Sequence, residues 1–222
     1  MTVTTNTPVG LIATEHPLAT RVFARHGIDF CCGGGRPLDQ VCSAKGLEID
    51  AVLAEIQEEV AASPAPEIRW DREPVSALID HILQHYHEPL KEELPRVEAM
   101  ARKVHQVHGD KDPALGEILD VYLALKAELD QHMMKEEQIL FPMILEGQGA
   151  TADGPISVME SEHEAAGQML ARLHTLTGGY EVPDGACNTW RALWAGLADL
   201  ESSLHEHIHL ENNVLHPRAL AS

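Results

Sequence analysis

The sequence is poor in basic residues, in aromatic residues and in long apolar runs. Its 222 residues include 35 acidic but only 16 basic side chains, and aromatic residues make up 4% of the chain. Proteins that bind nucleic acid or anionic lipid need clustered Lys and Arg, so we expect neither nucleic acid nor a membrane as a partner. No apolar run is long enough to span a bilayer. Residues 1–11 lack the basic and hydrophobic regions of a secretory signal, which favours a cytoplasmic protein.

Cysteine is also scarce, with four residues at Cys31, Cys32, Cys42 and Cys187. This density is too low for a disulfide-based scaffold. The two separated CxxC pairs of a zinc ribbon are absent, and a four-cysteine iron–sulfur cluster would need the distant Cys187 as a ligand. We therefore expect free thiols in a reducing compartment.

The adjacent pair Cys31 and Cys32 is followed by a run of three glycines at 33–35. Neighbouring cysteines form a disulfide only with strain. Glycines allow the backbone to approach closely and keep the thiols accessible. Two interpretations stay open: a tight interhelical turn with incidental cysteines, or a pair with a redox or metal-handling role.

Helical periodicity dominates the rest of the chain, and strand alternation is nearly absent. Residues 1–65 read as short helices interrupted by glycines, and residues 63–66 (Ser-Pro-Ala-Pro) predict a stiff linker. Four long apolar stripes then predict helices at about 74–107, 113–146, 155–178 and 185–215, with Pro217 closing the last. We therefore predict an all-α protein, with a small helical domain at 1–65 and an antiparallel four-helix bundle at 66–222.

The chain has 14 histidines, and some of them interrupt the apolar stripes of the bundle together with glutamates. The interruptions in the second, third and fourth predicted helices are His132, Glu136, His163, His207 and Glu211. Burying an unpaired carboxylate is costly, so polar groups at core positions need partners.

Two of these interruptions share the pattern HxxxE, namely His132 with Glu136 and His207 with Glu211. Residues i and i+4 project from one helix face, so each pair can offer a nitrogen and a carboxylate to one centre. A carboxylate can bridge two metal ions, and this ligand set suits iron or manganese better than a closed zinc site. HxxxE alone is common on exposed faces, but two such pairs with His163 in core positions favour a metal site.

The first predicted bundle helix offers three further histidines. His81 lies well off the apolar stripe and is expected to be solvated, whereas His85 and His87 flank the stripe on opposite sides. Periodicity does not choose between these two. In the last helix, His205 and His209 share a face beside the stripe, which predicts a solvated surface.

Taken together, these features resemble the hemerythrin-like superfamily, and more closely the RIC family of bacterial iron–sulfur cluster repair di-iron proteins. The resemblance covers almost the whole chain. The segments that carry it are 29–34 (DFCCGG), Tyr86-His87, 132–142, 154–163, 210–215 and 217–220.

The resemblance implies a hemerythrin-like bundle with two non-haem iron ions, joined by an oxo or hydroxo bridge. It selects His87 in the first helix and suggests that Glu128 and Glu162 line access to the site. Cys42 lies outside the family's essential pattern and would extend the thiol pair to three. The implied iron ligands are four terminal histidines and two bridging glutamates: His87, His132, His163, His207, Glu136 and Glu211.

The implied function is the repair of iron–sulfur clusters damaged by nitrosative or oxidative stress. Damaged iron–sulfur proteins or cluster scaffolds are the expected partners, with a second copy of this chain as a further candidate. We expect the bundle to supply iron and Cys31 and Cys32 to relay it. Two alternatives stay open. One is reduction or scavenging of nitric oxide, for which we identify no electron donor. The other is sensing of oxygen or nitric oxide, for which we identify no output domain.

Overall fold

The computed structural model describes residues 3–62 and 68–222, and over these ranges the regular elements are helices apart from one isolated β-bridge between Pro8 and Pro37. The predicted all-α class is therefore confirmed. No helix in the described ranges is long and apolar enough to cross a bilayer. The predicted linker at 63–66 lies outside the described residues, and the division of the chain at residue 65 stays a prediction.

Four short helices form the N-terminal part: α1 (Val9–Glu15), α2 (Ala19–Arg25), α3 (Leu38–Lys45) and α4 (Ile49–Ala62). They enclose a small apolar core of their own, in which Phe23 and Leu38 are fully buried. Cys42 lies in this core and is 1% exposed.

Four long helices follow, and each packs against the next, with the last also packing against the first. Helix α5 covers 75–108, α6 covers 114–145, α7 is Asp153–Leu176, and α8 covers 188–220. Helices α5, α6 and α8 each contain one π-helical turn, at Leu83–His87, Glu136–Leu140 and Glu211–Leu215. The α-helical parts on either side of these turns are Val75–Ile82 and Glu88–His108 in α5, Ala114–Lys135 and Phe141–Leu145 in α6, and Asn188–Leu210 and His216–Leu220 in α8. Short connections between neighbouring helices give the antiparallel bundle that the periodicity predicts.

A proline follows each π turn at the same distance. Pro89, Pro142 and Pro217 each stand two residues beyond the last residue of a π turn. Proline has no N–H and crowds the carbonyl four residues earlier, and here that carbonyl lies within the π turn. The helix therefore continues past the proline instead of ending. The prediction that Pro217 closes the last helix is wrong for this reason, since α8 continues to Leu220.

The bundle has two apolar clusters separated by a polar layer. The larger contains Leu94, Tyr122 and Leu197, and the smaller, at the other end, contains Ile82 and Leu215. Along each helix, buried histidines or glutamates occur close to where the residues of one cluster give way to those of the other. The fold thus places a buried polar layer across the bundle.

Candidate metal centre

The polar layer consists of the six side chains expected as ligands, and none is more than 4% exposed: His87, His132, Glu136, His163, His207 and Glu211. In α5 it is His87 that points inward, whereas His85 is exposed. His81 is partly buried because its ring stacks on Trp70, with 4.2 Å between ring centroids, so the expectation that it is solvated is wrong.

The candidate ligand atoms form two groups that share Glu136 and Glu211. One group adds His87 and His207 and is called here the His87–His207 side. The other adds His132 and His163 and is called the His132–His163 side. Within each group the four ligand atoms lie within 4.8 Å of one another.

Glu211 spans both sides with its two oxygens. Its Oε1 lies 3.0 Å from His207 Nε2, and its Oε2 lies 3.2 Å from His163 Nε2. Glu136 Oε2 lies 3.3 Å from Nε2 of both His87 and His132. Glu211 thus has one oxygen on each side, as a bridging carboxylate requires, whereas Glu136 reaches both sides through the single atom Oε2.

The residues fit a metal because several of their polar atoms are buried without other partners. Both carboxylate oxygens of Glu136 and Oε2 of Glu211 are buried and accept no hydrogen bond from the described residues. The Nε2 atoms of His132 and His163 face each other at 2.9 Å, and those of His87 and His207 at 3.2 Å. Cations between these atoms would balance the buried carboxylates, and nitrogen and oxygen donors suit a first-row transition metal. The donor set and the buried, unpartnered carboxylate oxygens of the layer thus fit a metal site.

The charge balance shows how a metal would compete with protons. Burial alone would lower the pKa of His132, but the Glu136 carboxylate outweighs it and raises the pKa to about 9. The pKa of His87 is also raised, because Glu136 again overcomes the effect of burial. Burial opposes the charged form of Glu211, yet His207 lowers its pKa. A metal must therefore displace protons from these imidazoles when it binds.

Three of the four histidines are oriented by an acceptor at Nδ1. His87 Nδ1 donates to Glu137 Oε1 at 2.9 Å, and His163 Nδ1 donates to Asn212 Oδ1 at 2.7 Å. His132 Nδ1 donates to Glu162 Oε2 at 3.0 Å. Such acceptors fix the tautomer and direct Nε2 to the metal.

Two of these orienting residues, Glu137 and Asn212, are absent from the residues that the sequence predicts for the site. Each directly follows a glutamate of an HxxxE pair, at the second position of a π turn. The sequence signal that could identify them is their shared position directly after the glutamate of an HxxxE pair. A residue at this position points toward the neighbouring helix.

Glu128 and Glu162 lie on a cleft that reaches His132 and His163 and also touches His207. Leu129, Ala166 and Leu204 form the apolar part of its wall. Glu162 is also paired with Lys135, whereas Glu128 is exposed. The access role expected for the two glutamates stays a prediction that this placement supports.

The Cys31–Cys32 loop lies against the centre. Cys32 Sγ is 3.5 Å from the carbonyl oxygen of His163, and the two Sγ atoms are 3.9 Å apart. Asp29 Oδ1 accepts the backbone N–H groups of Cys31 and Cys32 at 3.1 and 3.0 Å. The loop therefore has a fixed conformation and touches the helix that carries His163.

Asn213, in the π turn of α8, holds this loop in place. Its Nδ2 donates to the carbonyl oxygens of Phe30 and Cys31 at 3.2 and 3.0 Å. A Cβ at Gly10 or at Gly34 would collide with the Asn213 side chain, so both glycines allow the close approach. One π turn thus carries Glu211 of the centre, Asn212 that orients His163, and Asn213.

Two further expectations are corrected by the N-terminal part. Cys42 does not join the thiol pair, since it packs in the core of α1–α4, away from the group formed by Asp29, Cys31 and Cys32.

His209 is 5% exposed because Phe30 covers it, with 5.5 Å between ring centroids, and His205 is partly buried beside the same ring. The face expected to be solvated is a contact between the N-terminal helices and the bundle.

Comparison with known proteins gives two family matches. The Hemerythrin HHE cation binding domain matches residues 78–219, and a domain of unknown function (DUF542) matches residues 5–60. The chain is 46% identical over 215 residues to the iron-sulfur cluster repair protein YtfE of Yersinia pseudotuberculosis serotype O:1b (strain IP 31758). It is 45% identical to the protein of that name from Yersinia pestis (strain Pestoides F), and both alignments cover 97% of each chain.

Proposed function

The chain belongs to the hemerythrin HHE cation-binding family, and from that premise we propose that it is a di-iron protein that repairs damaged iron–sulfur clusters. The observation that carries the proposal is the buried layer of four histidines and two glutamates, arranged as two groups that share both carboxylates. Relatives that are 45–46% identical along nearly the whole chain carry the name of cluster repair proteins.

In this proposal one iron ion occupies each side of the centre. His87 and His207 would hold one ion, His132 and His163 would hold the other, and Glu136 and Glu211 would serve both. A pair of iron ions, completed by a solvent bridge, would supply redox-active iron at this position. The chain's own contribution is to orient three of the four imidazoles through Nδ1, hold two carboxylates at the buried centre, and keep both ions away from bulk water.

We further propose that the protein supplies iron to the damaged cluster. Nitrogen and carboxylate ligands suit single iron ions, whereas the thiolates of a cluster site select iron–sulfur assemblies. Iron would therefore move from this centre toward a thiolate-rich acceptor. The cleft bordered by Glu128 and Glu162 is the proposed route, and the proposed partners are damaged iron–sulfur proteins or cluster scaffolds in the cytoplasm.

The test uses an iron–sulfur dehydratase inactivated by nitric oxide under anaerobic conditions. Full-length protein loaded with ⁵⁷Fe should restore its activity and transfer the label to the rebuilt cluster. Metal-free protein and the Glu211→Leu variant should not, while Glu146→Gln, a change at an exposed residue, should behave like the parent chain. Equal restoration by metal-free and iron-loaded protein would contradict iron supply.

A second candidate function is the reduction of nitric oxide at the same centre. The observation that favours it is the cleft lined by His132, His163 and His207, which brings open space next to candidate ligands of both sides. Repeated anaerobic turnover of nitric oxide to nitrous oxide by the reduced protein would support this function. Binding that stops at a fixed stoichiometry would argue against it.

A further inference from the structure

Cys31 and Cys32 touch each other, and Cys32 also touches the backbone of a candidate metal ligand. Their Sγ atoms are 3.9 Å apart, and Cys32 Sγ contacts the backbone carbonyl of His163, whose imidazole is one of the buried candidate ligands. One residue therefore separates the thiol pair from the centre. This contact joins the N-terminal helices to α7.

The surroundings of Cys31 favour a thiol over a thiolate. Cys31 is 4% exposed, and its Sγ donates to Asp29 Oδ1 at 3.3 Å. The hydrogen bond with Cys32, burial and the Asp29 charge all raise the pKa of the Cys31 thiol. Metal ions bind the thiolate form, so a protonated Cys31 beside a carboxylate is poorly suited to ligate iron. It is well suited to give up an electron and a proton together, because a proton acceptor is already in contact.

We propose that the Cys31–Cys32 pair is the two-electron reductant of the ferric centre. Two thiols and two Fe(III) ions give one Cys31–Cys32 disulfide, two Fe(II) ions and two protons. The S–S bond forms as both S–H bonds break, Asp29 takes the proton of Cys31, and water takes the proton of the half-exposed Cys32. The inference rests on the proposed di-iron function and assigns the thiols a reducing role in place of the expected iron relay.

Reduction would favour iron delivery for an electrostatic reason. Each Fe(II) ion carries one positive charge fewer than Fe(III), so Glu136 and Glu211 attract it less strongly. The thiol pair would then control when iron leaves. A disulfide between adjacent cysteines is strained, and strained disulfides are readily reduced by other thiols, so the pair could be restored after each release.

The experiment starts from the full-length protein in the diferric state, without oxygen and without added reductant. A ferrous-specific chelator reports Fe(II), while mass analysis of the peptide containing residues 31 and 32 reports the loss of two hydrogen atoms on disulfide formation. We expect one Cys31–Cys32 disulfide for every two Fe(II) ions. Protein loaded with Zn(II), which accepts no electrons, should keep both thiols.

Matched variants separate this reaction from general thiol chemistry. Cys32→Ser changes a half-exposed side chain and should abolish both Fe(II) release and disulfide formation. Cys42→Ser and Cys187→Ser should leave both unchanged. Fe(II) release with both thiols intact, or a disulfide formed equally in the zinc-loaded protein, would overturn the proposal.

The outcome is distinguishable from failure of the proposed function. If chemically reduced, iron-loaded protein repairs the damaged dehydratase but the disulfide never forms, iron supply survives and the reductant role is wrong. If the disulfide forms with the expected stoichiometry but no repair follows, the reductant role survives and the repair function is wrong.

Discussion

The two sides of the metal centre use the same ligand types but have different surroundings. On the His87–His207 side, Glu137 orients His87 and is itself paired with Lys91 at 3.0 Å. The Nδ1 of His207 is buried without a hydrogen-bond partner among the described residues, and the Tyr86 ring stacks on its imidazole at 5.1 Å. Aromatic packing and an ion pair lie against this side, although His207 also lines the cleft that carries Glu128 and Glu162.

On the His132–His163 side, both imidazoles have acceptors at Nδ1 and both line the cleft. The cleft bordered by Glu128 and Glu162 has two ligands of this side on its wall and one, His207, of the other side, and Cys32 contacts the backbone of His163. Two similar HxxxE turns therefore build a nearly symmetric ligand set, while the neighbouring elements make it asymmetric. We infer that exchange of iron begins on the His132–His163 side.

The largest effect is expected from removing a shared carboxylate. Glu136→Leu or Glu211→Leu should empty both sides at once, because each glutamate contributes to both groups. Iron measured per chain by elemental analysis should fall from two ions to less than one. Glu146→Gln provides the control for expression and loading. An iron content that stays unchanged in either Leu variant would show that the assigned ligands are wrong.

Removing one orienting charge should affect one side only. Glu162→Gln and Glu137→Gln keep an oxygen acceptor for His132 and His87 but remove its charge, and loss of such an orienting interaction typically weakens metal binding about 10–100-fold. We expect Glu162→Gln to lose iron to a competing chelator faster than Glu137→Gln does, because Glu162 also borders the cleft. If the two variants lose iron at the same rate, the proposed difference between the sides is incorrect.

Asn213→Ala should separate the thiol loop from the centre without emptying it. The change leaves the carbonyl groups of Phe30 and Cys31 without their donor, at a cost of about 1–3 kcal/mol. Amide hydrogen exchange at residues 30–35 and alkylation of Cys32 should both accelerate, while the iron content stays constant. Asn188→Ala, at the start of α8, is the matched control. Unaltered exchange at 30–35 would show that Asn213 does not hold the loop.

The smallest expected effect is a loss of folding stability at low pH, caused by the burial of His209 under Phe30. Burial lowers the pKa of His209 from its usual 6.5 to about 4. The folded protein therefore binds fewer protons than the unfolded chain between these values, and stability present above pH 6.5 is lost as the pH falls toward 4. At pH 5.5 we expect a loss on the order of 1 kcal/mol. Urea unfolding of the parent chain and of His209→Gln at pH 7 and 5.5 measures it, and identical pH dependence would contradict this assignment.

Much of the bundle and of the centre can be predicted because both follow from periodicity. A polar residue at a core position must find a partner, so the apolar stripes by themselves mark His132, Glu136, His163, His207 and Glu211 as a site. His87 is different, because the apolar periodicity does not distinguish it from His85 as the inward-facing histidine. The π turn at Leu83–His87 changes the register of side chains in α5, and only the resemblance distinguishes the two.

The remaining errors come from contacts between distant segments. The sequence of α8 alone predicts a solvated His209 because it gives no sign that Phe30 covers this residue. Proximity in sequence places Cys42 with the thiol pair, but α3 turns it into the N-terminal core. Pro217 suggests a helix end because a proline usually stops a helix and the π turn before it is not recognised from apolar periodicity. The equal spacing from Glu136 to Pro142 and from Glu211 to Pro217 is the sequence signal that could have indicated the turn.

The most direct test of the central claim is Mössbauer spectroscopy, with elemental analysis, of the full-length protein loaded with ⁵⁷Fe. The account predicts two iron ions per chain that are magnetically coupled and give two distinguishable signals, one for each side of the centre. A single uncoupled iron ion, or zinc in place of iron, would contradict it.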